Sequence, residues 1–146
     1  DKALDIWFIP KLSDELLATY RPVKTINQEY SIEQYEHLNG DMLTLYQNLK
    51  QRILNIDSSV IEEYKKLYIA FKISTNFVDI VPQKSKLRLS LNMAYPEIVD
   101  PKNLCKDISS LGRWGNGDVE VSVSKHEQLD DVMELIQQAF DSQSEL

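Results

Sequence analysis

Twelve residues, Gly112-Arg113-Trp114-Gly115-Asn116-Gly117-Asp118-Val119-Glu120-Val121-Ser122-Val123, constrain the fold of this chain more than any other stretch. They hold three of its four glycines and one of its two tryptophans. Val119, Val121 and Val123 alternate with Asp118, Glu120 and Ser122, the pattern of a strand with one face buried. The strand is entered through a Gly-rich turn, for which positive φ is expected at Gly115 or Gly117. A phosphate-binding Gly loop needs a strand before it and a helix after it. Here the order is reversed, so the glycines read as turn geometry.

The rest of the chain supplies partners for that strand. Leu87, Leu89, Leu91 and Met93 alternate with Lys86, Arg88, Ser90 and Asn92. Upstream, Val60 to Tyr64, Leu67 to Ile73 and Phe77 to Val81 read as three further strands, separated by short turns such as Ser74-Thr75-Asn76 and Pro82-Gln83-Lys84-Ser85. Short turns between neighbours predict an antiparallel meander.

Helices flank it. Leu38, Met42, Leu45, Leu49, Ile53 and Ile56 recur at helical spacing between Ser31 and Ile56, with a break expected at Asn39-Gly40. Leu129, Val132, Met133, Ile136 and Phe140 give a last helix its buried face, with Ser124 and Glu127 at capping-box spacing. Asp100-Pro101 predicts a third, short helix carrying Leu104, Ile108 and Leu111 and stopped by Gly112. The expected fold class is α+β: a two-layer sandwich, a mainly antiparallel sheet of four to five strands with helices packed on one face. Residues 31–146 form this single domain. Residues 1–30, interrupted by Pro10 and Pro22, read as an N-terminal arm or linker from a preceding domain, with a short strand at Leu4 to Ile9 and a helical turn capped by Ser13. The start at Asp1, without an initiator Met, fits a piece of a longer protein.

Charge is the first functional signal. The net charge is −7, which argues against a protein coated in cations. Yet residues 64–125 carry ten Lys and Arg against six acids, while residues 126–146 carry six acids and no Lys or Arg. The middle is basic and the flanks acidic. Lys86, Arg88, Ser90 and Asn92 share the outward sheet face, with Tyr68 and Lys72 on a neighbouring strand. Lys72, Lys84, Lys86, Arg88, Arg113 and Trp114 are the expected nucleic-acid-binding set, cations for phosphates beside a ring for stacking. A solvated sheet face, with Arg113 paired to Asp118 or Glu120, is the simpler alternative.

Other chemistry is thin. Glu63-Tyr64-Lys65 has a nuclease-like spacing but no partner acid in sequence. His37 and His126 read as surface histidines. Cys105, the one cysteine, sits between apolar residues and reads as a packed thiol. No catalytic residue, metal site or cofactor is expected. No apolar run reaches the roughly 18 residues of a membrane span, and the single cysteine fits the cytoplasm.

Six segments in order carry a family resemblance: Lys66-Leu67-Tyr68-Ile69-Ala70-Phe71-Lys72, Asn76 to Lys84, Leu87 to Asn92, Asp100-Pro101-Lys102, Gly112 to Asp118, and Val132 to Ile136. Over roughly residues 40–141 the chain resembles the uncharacterised C-terminal domain of bacterial and archaeal proteins labelled predicted transport proteins. The resemblance implies a domain that follows a restriction-endonuclease-like region or accompanies restriction and defence systems, with nucleic-acid binding as its suggested role. Leu4-Asp5-Ile6-Trp7 faintly resembles the closing strand of such a nuclease region. It brings no catalytic residue to this chain. The expected function is thus a non-enzymatic accessory domain that binds DNA or RNA beside an upstream nuclease domain. The alternative is a protein–protein or dimerisation module, working through residues 1–30 with Trp7 and Phe8. An enzyme acting on a small ligand is a minor third class.

Overall fold

A computed structural model describes residues 30–110 and 117–145. The arm expected in residues 1–30, with its strand, helical turn and dimerisation role, lies outside the described residues but for Tyr30. So do Arg113 and Trp114.

The first long element forms where the apolar stripe begins. A single 3-10 turn, Ile32–Gln34, comes first. The chain then breaks at Asn39, whose amide donates to the Glu36 carbonyl, and helix α1 runs Gly40–Leu54. Leu45, Tyr46, Leu49 and Ile53 are its buried side. Asp41 in the first turn and Arg52 in the last complement the helix dipole.

Four strands follow as a meander: β1 (Ile61–Tyr64), β2 (Ile69–Lys72), β3 (Asn76–Pro82) and β4 (Leu87–Leu91). After a loop come β5 (Lys106–Asp107) and β6 (Val119–Val123). The sheet order is β1-β2-β3-β4-β6-β5, every pair antiparallel. The class is the expected α+β, with six strands rather than four to five. Helix α2, Leu129–Ser144, closes the domain. Its entry is capped through Gln128, whose side-chain oxygen accepts from the backbone N–H of Ser124 and Lys125, one residue after the Glu127 that the sequence spacing favours.

Alternation puts Leu87, Leu89, Leu91, Val119, Val121 and Val123 on one sheet face, where they join the buried sides of α1 and α2 in a single core. Phe77 breaks the alternation. The β2–β3 register skips it, passing from Phe71↔Val78 to Lys72↔Asn76. An extra residue of this kind turns its side chain to the same face as its neighbour. Phe77 therefore enters the core beside Val78, its ring edge-on to Phe140 of α2 at 5.3 Å.

The short helix expected from Asp100 does not form. The Asp100 carboxylate instead accepts from the backbone N–H of Leu104 and Cys105 at 2.9 and 2.8 Å, folding the chain into a loop. Asn103 takes a left-handed φ of 54°, which no helix can propagate through. Beyond it Lys106–Asp107 pairs with β6. The carboxylate shapes its neighbour: burial, then the Asp100 charge, pushes the Cys105 thiol up to about 12, so the cysteine packs as a thiol as the sequence implies.

A candidate nucleic-acid interface

The register fixes which side chains share the outward face. Glu63, Ala70, Asp79, Ser90, Glu120 and Lys106 form one cross-strand row. Val81, Arg88 and Ser122 form the next on one side, and Ile61, Lys72 and Asn76 lie on the other. The face is mixed in charge, not basic. Asp79, near the centre, is 1% exposed and accepts from the Asn76 amide at 3.0 Å. Burial and the Asp79 charge together raise the Tyr68 hydroxyl above its ordinary pKa.

Lys72 is bound into this face. Its ammonium lies 3.0 Å from Glu63 Oε1, and Lys65 holds the other carboxylate oxygen at 3.2 Å. Burial works against the Glu63 charge, but the two lysines prevail and keep the carboxyl below its usual range. Lys72 also sits where β2 turns into β3. Lys84 and Lys86 flank the turn from β3 to β4, which Gln83 and Lys86 close with a backbone hydrogen bond. The length of β3 separates these two turns, about 20 Å. The structure thus brings Lys84, Lys86 and Arg88 together and leaves Lys72 at the opposite end. Gly117 and Asp118, which follow the undescribed Arg113 and Trp114, are also at that opposite end, beside Leu91.

What gathers at the Lys84 end is a set of turns. The β1–β2 turn brings Lys66, and the exit of β6 brings Lys125, next to the Leu87↔Val123 pair. Lys66, Lys84, Lys86 and Lys125 are exposed and Arg88 half-buried. Among the described residues, the ion pairs use Lys50, Arg52, Lys65, Lys72 and Lys102, and none of these five cations. From the β1–β2 turn to β6 is three to four strand spacings, a basic edge about 17 Å long. Lys66 and Lys125 escaped the sequence reading because it grouped cations by strand face instead of by turn.

The β1–β2 turn is held rigidly. Gln34 donates to the carbonyls of Lys65 and Lys66 at 2.9 and 3.2 Å. The Tyr35 hydroxyl reaches the carbonyls of Lys65 and Tyr68 at 2.5 and 3.0 Å. Burial pushes that hydroxyl up to about 12, so it remains a donor. Tyr35→Phe removes the one proton these carbonyls share, leaving them Gln34 and the Lys65 N–H, and is expected to lower stability by about 1 kcal/mol in urea unfolding. The same variant should speed amide exchange at Lys65, whose N–H closes the turn onto the Tyr68 carbonyl. Unchanged exchange there would show that the tyrosine does not hold the turn.

No group of three or more His, Cys, Asp or Glu able to hold a metal occurs among the described residues. No helix among them is long and apolar enough to cross a membrane.

No solved structure matches the chain. An uncharacterised protein of Haemophilus influenzae is 45% identical over 96 residues, which are 66% of this chain and 32% of that protein. The chain therefore spans about a third of that relative's length. Neither this relative nor the family match ties the chain to transport proteins or to restriction-endonuclease-like regions. The family model matches residues 33–143, and the chain belongs to that family, a domain of unknown function (DUF5655).

Proposed function

We propose that this is a non-catalytic accessory domain that binds nucleic acid along the basic edge formed by Lys66, Lys84, Lys86, Arg88 and Lys125. The observation that carries the reading is the convergence of separate turns. Five cations with no carboxylate partner among the described residues line one end of a rigid sheet, in a chain whose net charge is −7. A polyanion compensates such a row by releasing its own counterions. The finer reading is that the domain serves a larger nuclease or defence protein. It is supported by the length of the Haemophilus relative, two thirds of which lies outside the match, and by the family resemblance in the sequence.

Binding of a fluorescent oligonucleotide, followed by anisotropy, tests this. Five phosphate contacts on a single strand give a slope of log K against log salt of about −3.5. Affinity should then fall about 100-fold between 50 and 200 mM salt. Negligible binding at low salt, to single strands and duplexes alike, would remove the proposal.

A further inference from the structure

A groove with apolar walls opens on the basic edge beside Lys66. Leu67, Val81 and Pro82 line it together with Tyr35, Lys66 and Glu36, and its volume is about 360 Å³. Its most conspicuous wall is Leu67, 56% exposed at the tip of the turn that Gln34 and Tyr35 pin down. A large aliphatic side chain held out to solvent between Lys66 and Tyr68 has no role in the core. Val81 and Pro82 lead directly into the turn bearing Lys84 and Lys86. The apolar walls are therefore flanked by cations on two turns. His37 also lines it beside Glu36, giving a ring nitrogen and a carboxylate each able to hydrogen-bond a base edge. A second groove at this end, of about 330 Å³, is lined by Asp41 and Glu127 as well as Lys125, and two carboxylates make it a poor place for a strand of phosphates.

Given the nucleic-acid reading above, on which this rests, we infer that the groove beside Leu67 receives one unpaired nucleobase, so that the domain prefers single strands to duplexes. The walls offer an apolar surface to a flat ring, while Lys66 and Lys84 take the phosphates on either side of it. In a duplex the bases are stacked inside and only the phosphates reach the edge.

Three probes of equal length separate the cases at about 50 mM salt: a single-stranded oligothymidylate, a base-free sugar–phosphate strand, and a duplex. The 146-residue chain should bind the oligothymidylate about tenfold more tightly than the base-free strand. Leu67→Ser, which changes no charge, should bring the oligothymidylate down to the base-free level and leave the other two probes unmoved. Equal binding of thymidylate and base-free strands, or a Leu67→Ser variant that binds thymidylate as well as the parent, overturns the inference while leaving the basic edge intact. Failure to bind any of the three overturns both.

Discussion

Gly117→Ala should destabilise this domain by about 3–5 kcal/mol, the largest loss expected from any single methyl group in it. Two costs combine. The residue holds φ at +113°, a region that L side chains avoid, worth about 1–3 kcal/mol. The added carbon would also stand 2.1 Å from the Leu91 carbonyl oxygen and 2.8 Å from Asn92 Cα. These are backbone atoms of the neighbouring strand's end, so no side-chain rotation relieves the contact. β4 and β6 would have to part at the Leu91↔Val119 pair, where two buried side chains meet. Gly40 is the internal control. Its φ is also positive, at +55°, but nothing lies within 4 Å of where its Cβ would be. Gly40→Ala should therefore show the conformational cost alone, about 1 kcal/mol. Urea unfolding of the two variants side by side gives the answer. A Gly117 variant no less stable than the Gly40 variant would mean that the close approach to β4 is not structural.

That glycine was legible in the sequence because turn chemistry is local. A Gly-rich run leading into Val-x-Val-x-Val needs a positive φ near its end, and Gly117 supplies it. Five of the six strands and both long helices were legible for a related reason: their periods reflect which side faces the core, and the core is made by these residues themselves, whereas the two-residue β5, Lys106–Asp107, is too short to carry a period. The helix expected from Asp100 failed where a side chain competed with the backbone. Asp-Pro at a helix start and Asp closing a loop onto backbone N–H groups four and five residues on look alike until the partners are seen. Strict alternation along β3 does not foretell that Phe77 joins Val78 in the core, because a one-residue bulge is a property of the pair of strands and not of either one.

The candidate site was legible only in part, for a geometric reason. The sequence showed the basic middle of the chain but gathered its cations by sheet face. A meander sends alternate turns to opposite ends of the sheet. The first and third turns, with Lys66, Lys84 and Lys86, share an end. Lys72, beside the second, cannot join them. Its partner Glu63 lies on the neighbouring strand β1, opposite Ala70, a pairing visible only once the register is known.

Lys66→Glu, Lys84→Glu and Lys86→Glu together should lower oligonucleotide affinity at least 100-fold at low salt and reduce the salt slope from about −3.5 to about −1.4. The argument turns on position, since all three side chains are exposed and none takes part in an ion pair among the described residues. Replacing them costs the fold little, so thermal unfolding should stay close to that of the parent. Two comparisons guard against a trivial effect of net charge. Lys106→Glu lies on the edge strand β5 opposite Glu120, about 12 Å from Arg88 across two strand spacings and two residues, and should change affinity less than about threefold at 0.15 M salt, where the Debye length is about 8 Å. Lys72→Gln breaks the pair with Glu63 and should touch stability more than binding, by up to about 1 kcal/mol. If Lys106→Glu weakens binding per charge as much as the triple variant does, the protein answers to its total charge. If Lys72→Gln weakens it more than any one of the three turn lysines, the phosphates follow the sheet face and the edge is the wrong surface. Loss confined to the turn lysines is what a line of cations at one end of the sheet requires, because at that ionic strength a charge more than a Debye length away is largely screened from a bound phosphate.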